Sequence, residues 1–151
     1  MIPASHLHAI LIHFPIALLV IGFFSELLAI FIKKDFFKKV AFYLLLVGAL
    51  GAITAYISGS YAGEGIEEGP LKAPMELHEQ AALITLWLSI ITALFSVLIY
   101  FFKVQNNKVK SVAIFLYALL VASVVQTGYY GGQLVYSHGV GIELALPDFN
   151  N

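Results

Sequence analysis

The sequence predicts an all-α integral membrane protein that folds as a four-helix up-down bundle. Three observations support this prediction: four long apolar runs, a very apolar composition, and short connections between the runs. Of the 151 residues, 60% are hydrophobic and 11% are charged, whereas an ordinary globular chain has about 25% charged residues. The length suits one domain, so residues 1–151 are expected to form a single four-span domain.

The four apolar runs cover residues 10–32, 36–58, 80–102 and 111–131. Each run contains the roughly 20 residues that a helix needs to cross a bilayer. The chain opens with Met1-Ile-Pro-Ala-Ser, which lacks the basic segment of a signal peptide, so the first run is expected to stay in the protein as a spanning helix. Gly48 and Gly51 in the second run favour close approach of a neighbouring helix.

The lysines predict how the chain is oriented in the membrane. Seven of the eight cationic residues lie in or directly beside the connection between the first two runs or the connection between the last two: Lys33, Lys34, Lys38, Lys39, Lys103, Lys108 and Lys110. The loop between the second and third runs is acidic instead. Because lysine-rich loops stay on the cytoplasmic side, both termini are expected to be periplasmic. The chain is therefore expected to cross the membrane four times.

Composition and motifs exclude several kinds of function. The net charge of −1 offers no basic surface for nucleic acid. Because the chain has no cysteine, it cannot form disulfides, iron–sulfur clusters, thiolate zinc sites or covalent c-type haem attachments. No hydrolase or phosphate-binding motif is present. Whether the protein is an enzyme is left open, and an electron carrier or a sensor is favoured.

All five histidines are predicted to lie on one side of the membrane. His6, His8 and His13 come at the start of the first run, and His78 and His138 flank later runs. His13 is 20 residues from Lys33, or about 30 Å along a helix, which matches the thickness of the hydrocarbon core. In an up-down bundle the first and third helices lie diagonally across the core, so His13 and His78 are expected to face each other.

Histidines gathered in this way point to a metal or haem site, since neutral imidazole is the commonest metal ligand in proteins. The many apolar side chains and glycines around them favour haem b, because they can surround a large apolar ring. Copper, zinc or non-haem iron bound without a macrocycle is the alternative. A third possibility is a structural or assembly subunit of a membrane complex, in which the histidines only form hydrogen bonds.

The sequence also resembles a bacterial family of four-helix membrane proteins known as domain of unknown function 2231. The resemblance covers nearly the whole chain, although Ala9 stands where that family usually has proline after its first histidine. It rests on His8, on His13-Phe14-Pro15-Ile16-Ala17, on His78 at the start of the third helix, and on Gly131-Gly132, Leu134-Val135-Tyr136 and His138-Gly139. The resemblance implies a multi-pass protein of the bacterial inner membrane, with His8, His13, His78 and His138 as functional positions. It also implies haem binding, because some such proteins accompany cytochrome-like domains.

The resulting hypothesis is a haem b protein for electron transfer or for redox or gas sensing, with its site near the periplasmic face. His13 and His78 are the predicted axial ligands, and His8 and His138 are a second pair or supporting groups. Besides the lipid bilayer, the candidate partners are a redox protein in the periplasm or membrane and a second copy of this chain.

Overall fold

The computed structural model describes residues 2–64 and 68–142, and these residues form four long α-helices. Each is long and apolar enough to cross a membrane, which confirms the prediction of an all-α four-helix membrane bundle. The helices are α1 (Ala4–Ile32), α2 (Asp35–Ala62), α3 (Lys72–Phe101) and α4 (Asn107–Tyr136). Each helix extends beyond its apolar run, because backbone hydrogen bonding continues into the more polar residues that flank the run. His8 and His78 therefore lie inside helices rather than in the loops before them.

The helices pack in the order expected of an up-down bundle. α1 and α3 each contact both α2 and α4, so α1 and α3 are diagonal to each other. α1 and α3 both begin at the end of the bundle that carries His8 and His78, which we call the histidine end. We call the opposite end, with Lys33 and Lys103, the lysine end.

The bundle consists of two hairpins, α1–α2 and α3–α4, that repeat the same design. Lys33 and Lys103 follow α1 and α3, and both adopt left-handed backbone conformations, with φ of 55° and 49°. These residues are 70 positions apart, as are His8 and His78. The first residues of α2 and α4 are 72 positions apart. We therefore compare α1 with α3 at an interval of 70 residues, and α2 with α4 at an interval of 72.

Glycines allow the first hairpin to pack closely. A β-carbon at position 48 would lie 2.7 Å from Leu19 Cδ2, and one at position 51 would lie 3.2 Å from Pro15 Cβ. Gly48 and Gly51 therefore serve the close helix approach expected from the sequence. Leu19 itself is fully buried in the central core cluster, together with Leu45, Ala49, Ala93, Tyr117, Leu120 and Val124.

Candidate functional site

His8 and His78 meet across the histidine end of the bundle. Their ring centroids are 6.5 Å apart, and the ring planes are inclined at 77° to each other. The two residues lie on the diagonal helices α1 and α3. Two imidazoles therefore approach the middle of the bundle from opposite sides.

Hydrogen bonds to the neighbouring helix position each ring through its Nδ1 atom. His8 Nδ1 lies 3.0 Å from Ser58 Oγ on α2, and His78 Nδ1 lies 3.2 Å from the carbonyl oxygen of Thr127 on α4. A carbonyl can only accept, so His78 Nδ1 must donate. Ser58 Oγ donates its own proton to the Ala55 carbonyl at 2.9 Å, so it is free to accept from His8 Nδ1. Both neutral imidazoles then keep the lone pair on Nε2.

This arrangement is the one that metal-binding histidines usually have. A ligating histidine almost always donates its second ring N–H to a carbonyl, a carboxylate or a water, which sets the tautomer and the ring orientation. Carbonyls at equivalent positions support the two rings, directly for His78 and through the Ser58 hydroxyl for His8. The Ala55 carbonyl accepts from Ser58, and the Thr127 carbonyl accepts from His78. Ala55 and Thr127 are 72 residues apart, which is the interval between α2 and α4.

A glycine makes room for each ring. A β-carbon at position 59 would lie 2.9 Å from His8 Cε1, and one at position 131 would lie 3.1 Å from His78 Cε1. Gly59 and Gly131 are again equivalent positions, 72 residues apart. The absence of a side chain on each glycine lets the imidazole lie directly against the neighbouring backbone.

A large cavity surrounds the histidine pair. Its volume is about 1490 Å³, which exceeds the roughly 300–1,000 Å³ of a typical small-molecule pocket. All four helices contribute to its lining, with mainly apolar side chains at its inner part. These apolar residues include Ile12, Leu19, Leu86 and Val124.

The structure gives His78 a different partner from the one expected. His13 does not face His78 across the bundle, because His8 occupies that place. The His13 ring is exposed, lines the cavity, and places Nδ1 2.6 Å from the carbonyl oxygen of Ala9 on its own helix. His138 is also exposed and lies beyond the end of α4, outside the residues that line the cavity.

The structure also shows features of this end of the bundle that the sequence analysis did not predict. Gly131 and Gly132 do not end α4, which continues to Tyr136. Ser58 and Thr127, which support the two rings, were not singled out from the sequence as site residues. The sequence does contain a signal for this site, which is the correspondence between the two hairpins. The interval from His8 to Gly59 nearly equals the interval from His78 to Gly131.

The pair does not belong to a larger cluster of protein ligands. Over residues 2–64 and 68–142, no group of three or more His, Cys, Asp or Glu side chains is arranged to hold a metal ion. Within the part of the chain that the structure describes, the histidine end therefore brings together two imidazoles and no larger set of ligand-type side chains.

Comparison with known proteins identifies the family. The family model described as "Predicted membrane protein (DUF2231)" matches residues 4–144. The chain belongs to the DUF2231 family. The match includes all four helices and both hairpins, so the histidine pair and its supporting glycines lie within the DUF2231 region. The family description and the four apolar helices agree that this is a multi-pass membrane protein.

No curated protein matches this DUF2231 chain, and no solved structure matches it.

Proposed function

We propose that this protein binds haem b at the histidine end of the bundle and transfers electrons, with His8 and His78 as the two axial ligands of the iron. The observation that carries the proposal is the pair of opposed imidazoles, each held through Nδ1 with Nε2 free. Haem iron takes its protein ligands along one axis, on opposite faces of the ring. A bundle that presents one imidazole from each of two diagonal helices suits this geometry.

The spacing of the two rings supports the same proposal. When two imidazoles bind one iron from opposite sides, each nitrogen is about 2 Å from the metal and about 1 Å from the centre of its own ring. The ring centres are then about 6 Å apart. The centroids of His8 and His78 are 6.5 Å apart.

The size and the lining of the cavity suit a large apolar ligand better than a bare metal ion. Two imidazoles provide two ligands, whereas zinc in a protein usually takes four and keeps at least three from side chains. A porphyrin supplies the remaining four nitrogens itself. The volume of about 1490 Å³ and the apolar inner lining are suited to a macrocycle between the helices.

The proposed ligation favours electron transfer over gas sensing. Two axial imidazoles leave no open position on the iron, so the group would supply one-electron redox chemistry when bound. The protein side chains hold the ring, fix its ligands and shield it from water. Because the site lies near one membrane surface, we propose that its redox partner docks at the histidine end.

An absorption spectrum of the purified protein tests the proposed function. Protein made in haem-replete cells is expected to show a Soret band and, on reduction, the sharp α and β bands of low-spin six-coordinate haem b. The pyridine haemochrome assay should give about one haem per chain. A colourless preparation that contains zinc or copper by elemental analysis would contradict the proposal in favour of a bare-metal site.

We further propose that the protein lies in the bacterial inner membrane with the histidine end and both termini in the periplasm. The support is the lysine-rich character of the opposite end. Since the chain has no cysteine, the single variants Lys34→Cys and Glu68→Cys give unambiguous labelling sites. In intact cells a membrane-impermeant maleimide should label Glu68→Cys, and it should label Lys34→Cys only after permeabilisation. Labelling of Lys34→Cys in intact cells would reject this orientation.

A further inference from the structure

The two hairpins differ in the polarity of their buried contacts at several equivalent positions. The second hairpin has hydroxyl side chains at five positions where the first has apolar or small residues. Thr85, Ser89 and Thr92 on α3 correspond to Pro15, Leu19 and Gly22 on α1, and Ser123 and Thr127 on α4 correspond to Gly51 and Ala55 on α2. The first hairpin also buries two hydroxyls, Ser25 and Ser58, but these donate to carbonyls of their own helices.

Three of these hydroxyls form a continuous hydrogen-bonded group on the side of His78 that faces the lysine end. Thr85 Oγ1 lies 2.6 Å from Ser123 Oγ and 2.8 Å from Thr127 Oγ1. Thr127 Oγ1 also donates to the Ser123 carbonyl at 2.9 Å. Thr85 and Thr127 both line the cavity, so the group is open to the histidine end.

The hydroxyls continue from this group toward the lysine end along one face of α3. Ser89 and Thr92 follow Thr85 at intervals of four and three residues, which place them on the same face at steps of about 6 and 4.5 Å along the helix axis. Both side chains are fully buried. Ser89 Oγ donates its proton to the Leu86 carbonyl at 2.7 Å, so its lone pairs remain to accept a hydrogen bond on this face.

Two buried oxygens near the part of this face closest to the lysine end have no hydrogen-bond partner among the described residues. Among the described residues, the buried side-chain oxygens without a hydrogen bond are Thr92 Oγ1 and Tyr117 Oη. They lie at similar depth, nine residues before the end of α3 and ten residues after the start of α4. Because buried polar groups rarely remain unpaired, ordered water between the helices is the usual explanation.

Glu26 extends this polar region toward the lysine end. The Tyr117 hydroxyl occupies the space that a β-carbon at position 22 would fill, and Glu26 is one turn beyond Gly22 on the same helix. Glu26 and Gly22 are four residues apart, so Glu26 lies on the same face of α1 as the site of the Tyr117 hydroxyl, about 6 Å further along the helix axis. An ionisable group inside a membrane span usually faces the bundle interior and marks a proton or ion pathway.

We propose that the hydroxyls of the second hairpin, together with Glu26, form a hydrated proton path from the lysine half of the bundle to the cavity at the histidine end. The path runs from Glu26 through Tyr117 and Thr92 to Ser89, and then to the group of Thr85, Ser123 and Thr127. Protons move between hydroxyls and intervening waters, with Glu26 as the group that takes them up. The path ends at the cavity and does not depend on haem being bound there.

Proton flux into liposomes tests this proposal. The purified protein is incorporated into potassium-loaded phosphatidylcholine–phosphatidylglycerol vesicles that contain a pH-sensitive dye, and valinomycin imposes an inside-negative potential. Vesicles with the wild-type protein should acidify several-fold faster than protein-free vesicles. Glu26→Gln and Thr85→Val should remove most of this protein-dependent rate, because each loses a proton-carrying group at nearly constant volume.

Two further variants keep the test independent of folding defects. Thr54→Val is the matched control, because Thr54 is exposed on α2 and bonds only to the Gly51 carbonyl of its own helix; it should conduct like the wild type. Tyr117→Phe removes a hydroxyl without a protein partner, so it should fold normally and still slow the flux. The proposal is rejected if wild-type vesicles acidify no faster than protein-free ones. It is also rejected if Glu26→Gln, Thr85→Val and Tyr117→Phe all match Thr54→Val.

Discussion

Replacing His8 or His78 with alanine is expected to abolish the low-spin haem spectrum. Each substitution removes one of the two opposed imidazoles and leaves the iron with a single axial ligand from the protein. The retained haem should therefore become high-spin and five-coordinate, or be lost during purification. The double variant His8→Ala/His78→Ala should contain no haem. Absorption spectra of the oxidised and reduced proteins, together with haem content per chain, provide the measurement.

The other three histidines serve as matched controls for this prediction. His6→Ala, His13→Ala and His138→Ala should retain the low-spin spectrum and close to the wild-type haem content. His13 is the most informative of them, because it lines the cavity but bonds to its own helix at Ala9. Loss of the spectrum in His13→Ala with retention in His8→Ala would restore the pairing predicted from sequence and refute the one proposed from the structure.

Alanine at Gly59 or Gly131 is expected to weaken haem binding without removing a ligand. The new β-carbon would lie 2.9 Å from His8 Cε1 in Gly59→Ala and 3.1 Å from His78 Cε1 in Gly131→Ala. Each ring must then shift away from the group that orients it. Loss of such orientation typically costs roughly 10–100-fold in affinity at metal sites. The closer contact predicts the larger effect for Gly59→Ala, as measured by haem titration of the apoprotein.

Gly132 provides a control one residue away from Gly131. A β-carbon there would meet no heavy atom within 4 Å. Gly132 also lines the cavity, but Gly132→Ala does not displace His78, so it should retain haem better than Gly131→Ala and be slightly more stable, because alanine favours a helix interior over glycine by about 1 kcal/mol. Equal loss of haem binding in Gly131→Ala and Gly132→Ala would indicate a general effect on α4 instead of displacement of His78.

The pairing of His8 with His78 illustrates why the site could be predicted only in part. The sequence places His8, His13 and His78 near one end of the bundle, because distance along a helix follows directly from residue number. It does not give the rotation of the helix about its axis. His8 and His13 are five residues apart, which corresponds to about 140° around a helix, so they cannot both face the same point. His8 shares a face with the buried residues Pro15 and Leu19, and that face is the one that packs into the bundle.

The sequence by itself determined the membrane class, the number of spans, the separation of histidines and lysines to opposite ends, and the absence of cysteine chemistry. These properties depend on composition and on linear spacing, which folding does not alter. The tertiary structure decided which histidine faces His78, which glycines make room for the two rings, and which hydroxyls meet between α3 and α4. These contacts depend on the rotation of each helix, and that rotation is set by close packing such as that of Leu19 against Gly48.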